Sequence, residues 1–292
     1  MLARLKQAGV EIPQPLELFA LRLLREPDAP IPLHAINELS EGAKKRIYRG
    51  LLPPSLLTRF QIDPISWRGP EGEGYVALTA EESTQVVKVM AHHTPEARDP
   101  FFYLELADNA FNGIDVSLLV LNDPDSPRFY TDVDLSGHRT LFGTVHRNLV
   151  EEERAMRFGL APGQVRQGLR ASPLVLQQLE FFMALLGHDS YYAEPLTYLS
   201  AWLFEKGGLG YVSGLRLMRA IDEEFQPGGR LYQALDHSTP FRRPEQGSTV
   251  RGRAWAIHDG ILAAIGRSWN DVRMVKRIGY QAGVETFPGA GY

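Results

Sequence analysis

The chain has 292 residues, of which 44% are hydrophobic and 23% are charged, and its formal net charge is −4. These values are ordinary for a globular protein and exclude a wholly disordered chain, which combines low hydrophobicity with high net charge. The absence of cysteine excludes disulfides, thiolate metal ligands and a cysteine nucleophile.

The first 71 residues have the pattern of a helical preface. Apolar residues recur at helical spacing over residues 14–26, and three prolines within residues 27–32 end that helix. A second helix is predicted over about 35–50. A third, short helix begins at Pro53 and Pro54 and runs to about Phe60.

Four runs with the composition of β-strands follow, separated by Gly, Pro, Asn and Asp. Their short links predict that neighbouring strands are antiparallel. The fourth run is the most apolar and is the expected central strand. The runs are Tyr75–Thr79, Gln85–Ala91, Phe101–Ala107 and Ile114–Leu121.

The remainder of the chain predicts helices that alternate with short strands. A long polar loop over residues 123–140 comes first. The expected fold class is α/β, with α+β as the alternative, around a mixed and mostly antiparallel sheet flanked by helices. Helices are predicted near 145–158, 173–186, 196–205, 214–225 and 254–265, and strands at Ser190–Ala193 and Leu209–Val212.

The helix predicted over residues 196–205 leads into the phrase Leu203-Phe204-Glu205-Lys206-Gly207-Gly208-Leu209-Gly210. A phrase like LYEKLGF stands at this place in the GNAT family of N-acetyltransferases, which residues 72–213 resemble. The resemblance extends to the long helix and strand before this phrase and to the four strands, which look like the antiparallel half of the family's sheet. It implies acetyl-CoA or another acyl-CoA as ligand.

In the family, a loop of the form [Q/R]-x-x-G-x-[G/A] opens the long helix, and its backbone N–H groups hold the CoA pyrophosphate. With Gly168 as the motif glycine, Val165 and Arg170 depart from the pattern. The resemblance therefore implies Arg166, Gly168 and Arg170 as the cofactor-binding residues, with the two arginines clamping the phosphates. The alternative is an ordinary helix start with solvated arginines.

The resemblance also implies an altered catalytic site. The tyrosine of the family's phrase acts as general acid, and Phe204 stands in its place. The catalytic candidates are Glu105 and Glu194 as bases toward an amine, and Tyr198, which lies six residues before Phe204. Roughly 40 residues separate the expected central strand from the phosphate loop, a connection that is short in the family.

The polar loop offers oxygen and imidazole ligands for a divalent metal, which makes a metal-dependent enzyme a further alternative. Asp is also the commonest turn former, so a structural role stays open. On the helix near residue 254, His258 and Asp259 are adjacent and do not face each other as a dyad. The metal candidates are Asp123, Asp125, Asp132, Asp134 and His138.

The sequence divides into a helical preface (1–71), a GNAT-like core (72–213) and a C-terminal extension (214–292). The extension is rich in aromatic residues, so we expect it to be ordered and packed on the core or on a second copy in a homo-oligomer. Its arginines would line the rim of the main cleft and attract an anionic ligand. The overall negative charge does not favour nucleic acid as the partner.

No apolar stretch is long enough to span a membrane, and the first residues lack the pattern of a signal peptide. We therefore expect a cytoplasmic protein. The bias of 25 Arg over 6 Lys, together with the absence of cysteine, is typical of a thermophile or of a GC-rich genome. The leading functional hypothesis is a divergent GNAT-type acyltransferase or acyl-CoA-binding protein. The rival is a non-catalytic ligand-binding or assembly protein.

Overall fold

A computed structural model describes residues 29–141 and 146–290. The helix predicted over residues 14–26 lies outside these ranges. Among the described residues, no helix combines the length and apolar character needed to cross a membrane. The helices are α1 (Leu33–Asn37), α2 (Glu41–Tyr48), α3 (Pro54–Arg59), α4 (Leu149–Phe158), α5 (Ser172–Leu186), α6 (Tyr198–Lys206), α7 (Leu215–Glu224), α8 (Arg230–Gln233) and α9 (Val250–His258).

The strands form a seven-stranded sheet in the order β1-β2-β3-β4-β5-β7-β6. The first four are successively antiparallel, and β4 and β5 are parallel. The predicted mixed, mostly antiparallel sheet flanked by helices is therefore confirmed. The strands are β1 (Val76–Thr79), β2 (Val86–Ala91), β3 (Phe102–Asp108), β4 (Ile114–Leu121), β5 (Ser190–Ala193), β6 (Gly210–Ser213) and β7 (Arg273–Arg277).

Three local predictions differ from the structure. The helix expected over 35–50 is divided into α1 and α2, because Ser40 between them has a non-helical ψ of 152°. The helix expected over 254–265 begins earlier, as α9, and is followed by a separate 3₁₀ turn over Ile261–Ile265. Neither β7 nor α8 was predicted. Every second residue around β7 is buried, as in an ordinary half-buried strand. One of these buried residues is Lys276, so the sequence of β7 does not show the alternation of apolar and polar residues that predicts such a strand.

The described residues form two compact units, and the first comprises residues 29–121 with Leu169–Ala193 and Val275–Gln281. Alternate side chains of its sheet are fully buried on one face, as in a strand with one face toward the core. Asp108, at the end of β3, accepts hydrogen bonds from the backbone N–H groups of Leu33 and His34 and so anchors α1. The buried face contains Val87, Val89, Leu104, Leu106, Ile114 and Val116.

The second unit comprises Asn122–Gly168, Glu194–Met274 and Ala282–Tyr292. The segment inserted after β4 and the C-terminal part of the chain share a hydrophobic core of Phe129, Ala155, Leu160, Phe241 and Trp255. Of the aromatic residues in the C-terminal segment, Phe241, Trp255 and Phe287 are buried, whereas Tyr280 is exposed. The three-domain division expected from the sequence stays a prediction.

Candidate functional site

The end of β4 and the beginning of α5 lie side by side, although residues 122–168 separate them in the sequence. The backbone N–H of Leu169 donates to the carbonyl of Leu121 at 3.4 Å, both in the first unit. Within the second unit, Asn122 and Gly168 form an antiparallel bridge, and the amide of Asp123 donates to the carbonyl of Gln167 at 2.7 Å. The inserted segment therefore leaves and rejoins the chain at one place.

Within the described part of the chain, three backbone N–H groups at the start of α5 have no hydrogen-bond partner. The amides of Arg170, Ala171 and Ser172 donate no hydrogen bond to any residue that the structure describes. Arg170 has a left-handed φ of 56°, and Ala171 after it has φ −100° and ψ 6°. Such a change of hand makes successive N–H groups converge into an anion-binding concavity, here next to the positive end of the helix dipole.

The three cofactor-binding candidates have different environments. The guanidinium of Arg166 is half-buried and donates to the carbonyls of Pro124 and Ser126, so it holds the start of the insertion. Gly168 lies in the bridge with Asn122. Arg170 is exposed and forms no ion pair within the described part of the chain.

Glu105 lies on the half-buried face of the sheet in the first unit. Its Oε2 accepts a 2.7 Å hydrogen bond from the hydroxyl of Tyr103 and lies 3.4 Å from Nζ of Lys88. Burial, and then the hydrogen bond to Glu105, raise the pKa of Tyr103 to about 12. This side chain therefore stays protonated and donates to the carboxylate at neutral pH.

Sequence reasoning did not select Lys88 or Tyr103. The sequence did contain a signal for Lys88, because this lysine interrupts the apolar run Val86-Val87-Lys88-Val89-Met90. A polar side chain on a central strand points to a face that is not fully covered. The relation of Lys88 to Glu105 appears only in the strand register, where the two residues are direct partners.

The structure places the other two catalytic candidates in the second unit. Glu194 is mostly exposed, and its carboxylate lies 3.5 Å from Nη1 of Arg273. Tyr198 is buried with its ring edge against Trp269, and burial raises the pKa of Tyr198 to about 12. The hydroxyl of Tyr198 is therefore shielded from solvent, and its role as a general acid stays a prediction.

Three aspartates of the polar loop, Asp123, Asp132 and Asp134, make contacts within the loop. Asp123 and Asp134 accept hydrogen bonds from backbone amides two residues later, and Asp132 pairs with Arg128 at 2.6 Å. His138 lies 3.4 Å from Asp134. Asp125 stands in the turn that Asp123 closes. In residues 29–141 and 146–290, no group of three or more His, Asp or Glu side chains has an arrangement that holds a metal ion.

A chain of alternating charges crosses the interior of the second unit. Arg147 donates to two buried carboxylates. Its Nε lies 3.0 Å from Glu152, and its Nη1 lies 2.9 Å from Asp259. Asp259 also accepts from Arg242 at 2.9 Å. His258 ends the chain, with Nε2 3.5 Å from Oε1 of Glu152. The sequence-adjacent pair His258 and Asp259 thus diverges, as expected, toward different partners.

This network holds α4, from the insertion, against α9, from the C-terminal segment. Burial raises the pKa of Glu152, but the hydrogen bonds from His258 and Arg147 and the charge of Arg147 outweigh burial, so the net pKa is lower than ordinary. Each buried charge has an opposite partner, which is the condition under which such charges are tolerated. We therefore assign the network a structural role.

Comparison with family models, with curated proteins and with solved structures finds no significant match to this chain.

Proposed function

We propose that the protein binds an acyl-CoA thioester in its first unit and is a divergent acyltransferase of the GNAT type. The hydrogen bond between Leu169 and Leu121 is the observation that carries the proposal. The long connection is the feature that departs most from the family pattern. Because its two ends are adjacent, the expected order of strand, phosphate loop and long helix is retained in space.

The start of α5 supplies the chemistry for the pyrophosphate. Free N–H groups at a helix N-terminus, aided by the helix dipole, bind phosphate oxygens. The amides of Arg170, Ala171 and Ser172 are free for this purpose within the described residues. The exposed guanidinium of Arg170 adds a positive charge at the same place, and it can form paired hydrogen bonds with phosphate.

The outer edge of β4 supplies a second contact. β4 pairs with β3 over its whole length, but it pairs with β5 only at Asp115 and Val116. Between Val116 and Leu121, whose carbonyl accepts from Leu169, this edge has no strand partner among the described residues. An extended ligand arm that contains amides, such as the pantetheine of CoA, can add to a free strand edge through main-chain hydrogen bonds.

Glu105 is the proposed base. Oε2 is occupied by Tyr103, whereas Oε1 has no hydrogen-bond partner in the described residues. Glu105 would take a proton from the attacking amine as the new C–N bond forms. The C–S bond of the thioester then breaks, and the CoA thiolate leaves and takes its proton from solvent, because Phe204 has none to give.

Titration with acetyl-CoA by calorimetry tests the proposal, with CoA, ADP and inorganic phosphate as reference ligands. We expect acetyl-CoA and CoA to bind and inorganic phosphate to bind far more weakly. Arg170→Gly separates side chain from backbone, because glycine retains the N–H group and favours the left-handed conformation. Retained affinity in Arg170→Gly assigns the binding to the backbone, and a large loss assigns it to the guanidinium. No binding of acetyl-CoA or CoA to the wild type contradicts the proposal.

The rival is a non-catalytic protein that binds the same ligand. It is favoured by Phe204 in the position of the family's tyrosine, since no general acid stands there. Incubation of the protein with acetyl-CoA and a panel of primary amines, followed by quantification of free thiol, separates the two. Binding without release of thiol for any amine supports the rival.

A further inference from the structure

Lys88 and Glu105 form a cross-strand ion pair on the half-buried face of the first unit. They are direct Cα partners in the register of β2 and β3, so their side chains stand next to each other on the same face. Their charged atoms are 3.4 Å apart, which is longer than the usual distance of a charge-assisted hydrogen bond. The two charges are in contact, but no short hydrogen bond fixes them to each other.

Both partners retain hydrogen-bonding capacity. Oε1 of Glu105 has no partner in the part of the chain that the structure describes, because Tyr103 and Lys88 both approach Oε2. The ammonium group of Lys88 makes no hydrogen bond to any described residue. An ammonium group has three donors, and a carboxylate accepts through both oxygens. One acceptor and several donors of opposite charge are therefore available side by side.

Two apolar side chains flank this pair, and the face is partly open. Met90 is the cross-strand partner of Tyr103, and Leu118 is the partner of Glu105, so both lie on the same face. Neither is fully buried, and the side chains of Lys88 and Glu105 are 43% and 23% exposed. A ligand can reach the charges while its apolar part covers Met90 and Leu118.

We propose that the acceptor substrate is a zwitterion of the amino acid type, with its ammonium group on Glu105 and its carboxylate on Lys88. The inference rests on the proposed function, because it names the amine: the bound ammonium group loses one proton to solvent to become the nucleophile, and Glu105 takes the second proton as the C–N bond forms. The ligand replaces one ion pair by two, so the face stays electrically neutral when it binds. An amine without a carboxylate would place its ammonium group beside Lys88, which would then have no anionic partner. The repulsion between the two positive charges disfavours such an amine.

The test uses the twenty common L-amino acids and their α-amides as probes. Binding is measured by saturation-transfer NMR on the full-length protein, with and without acetyl-CoA, and acetylation is measured by release of CoA thiol. We expect at least one amino acid with an apolar side chain to bind. The affinity of its amide should be lower by a factor of about ten or more.

Variants assign the two charges. Lys88→Met removes the cation but retains the apolar stem, and it should abolish the preference for the acid over the amide. Glu105→Gln should weaken both ligands. Lys206→Met is the matched control, since Lys206 also forms an ion pair, with Glu285 at 2.7 Å, and has a similar exposure of 46%. It should leave the preference unchanged.

The outcomes separate this inference from the proposed function. If acetyl-CoA binds but no amino acid binds or is acetylated, or if amides equal acids in the wild type, the zwitterion assignment is wrong and the acyl-CoA proposal stands. If acetyl-CoA does not bind, the proposed function fails. Even in that case, amino acids that bind and lose the preference for acid over amide in Lys88→Met would support a zwitterion site at Lys88 and Glu105. A loss of preference in Lys206→Met as well would refute the assignment to Lys88.

Discussion

The indole Nε1 of Trp255 donates a 2.8 Å hydrogen bond to the backbone carbonyl of Leu160. Trp255 lies in the C-terminal segment and Leu160 in the insertion after β4, so one buried side chain joins two distant parts of the sequence. Phe241 stacks on the same indole, with ring centroids 5.2 Å apart. The second unit is built around this contact.

Substitution of Trp255 tests how much this contact contributes. Trp255→Ala should lower the free energy of unfolding by about 3–5 kcal/mol through lost burial and the cavity left behind. Trp255→Phe retains most of the ring but leaves the carbonyl of Leu160 unpaired, at a cost of about 1–3 kcal/mol. Urea denaturation followed by circular dichroism measures both.

Phe111→Ala is the control for these variants, because Phe111 is 83% exposed. Its effect should stay within about 0.5 kcal/mol. Equal stability of Trp255→Phe and the wild type would show that the hydrogen bond contributes nothing.

Glu152 should make stability depend on acid pH. Its pKa in the folded protein is lower than ordinary, so the ionised form stabilises the fold. This contribution is fully present above the unfolded value, about 4.3, and is lost as the pH falls through the lower folded value. Glu152→Gln removes it and should cost about 2 kcal/mol at pH 7.

Thermal denaturation between pH 3 and pH 8 measures this dependence. The difference between wild type and Glu152→Gln should be constant from about pH 6 upward and should shrink in acid. Glu153→Gln, on the same helix but in an exposed pair with Arg157, is the control and should change little. A difference that grows as the pH falls would contradict the sign predicted for Glu152.

Arg170→Gly should stabilise the protein by up to about 1 kcal/mol. The φ of 56° at Arg170 is strained for a residue with a Cβ and is free for glycine. This gain exceeds the added entropy of glycine in the unfolded chain. Arg219→Gly, an exposed substitution inside α7, is the comparison and should destabilise by about 1 kcal/mol. Equal destabilisation by both variants would refute the left-handed conformation at Arg170.

Gly214 and Gly228 form a matched pair, because both have φ of 90°. A Cβ at Gly228 meets nothing within 4 Å, so Gly228→Ala measures backbone strain alone, about 1–2 kcal/mol. A Cβ at Gly214 would lie 2.9 Å from Cα of Val272, so Gly214→Ala should cost about 1–3 kcal/mol more. Chemical denaturation of the two variants measures the difference, and equal costs would contradict the close approach of Val272.

Local patterns in the sequence predicted the elements that later form the sheet and the long helix. The run Ile114–Leu121 is β4 and Ser190–Ala193 is β5, with the predicted bounds. The apolar stripe predicted over residues 173–186 is α5 within one residue. These predictions hold because side-chain periodicity and turn residues are properties of neighbours in the chain. Glu105 was selected as a candidate base from its place on a strand alone.

The remaining relationships were decided by the tertiary structure. Lys276 is buried in β7 because Nζ donates to the carbonyl of Tyr280 and lies 3.6 Å from Glu180. His258 meets Glu152 across 106 positions, and the insertion closes on itself where Leu169 meets Leu121. Each depends on how separate elements pack. Periodicity reports only which face of an element is buried and not which distant residue lies against it, so no pattern along the chain contained them.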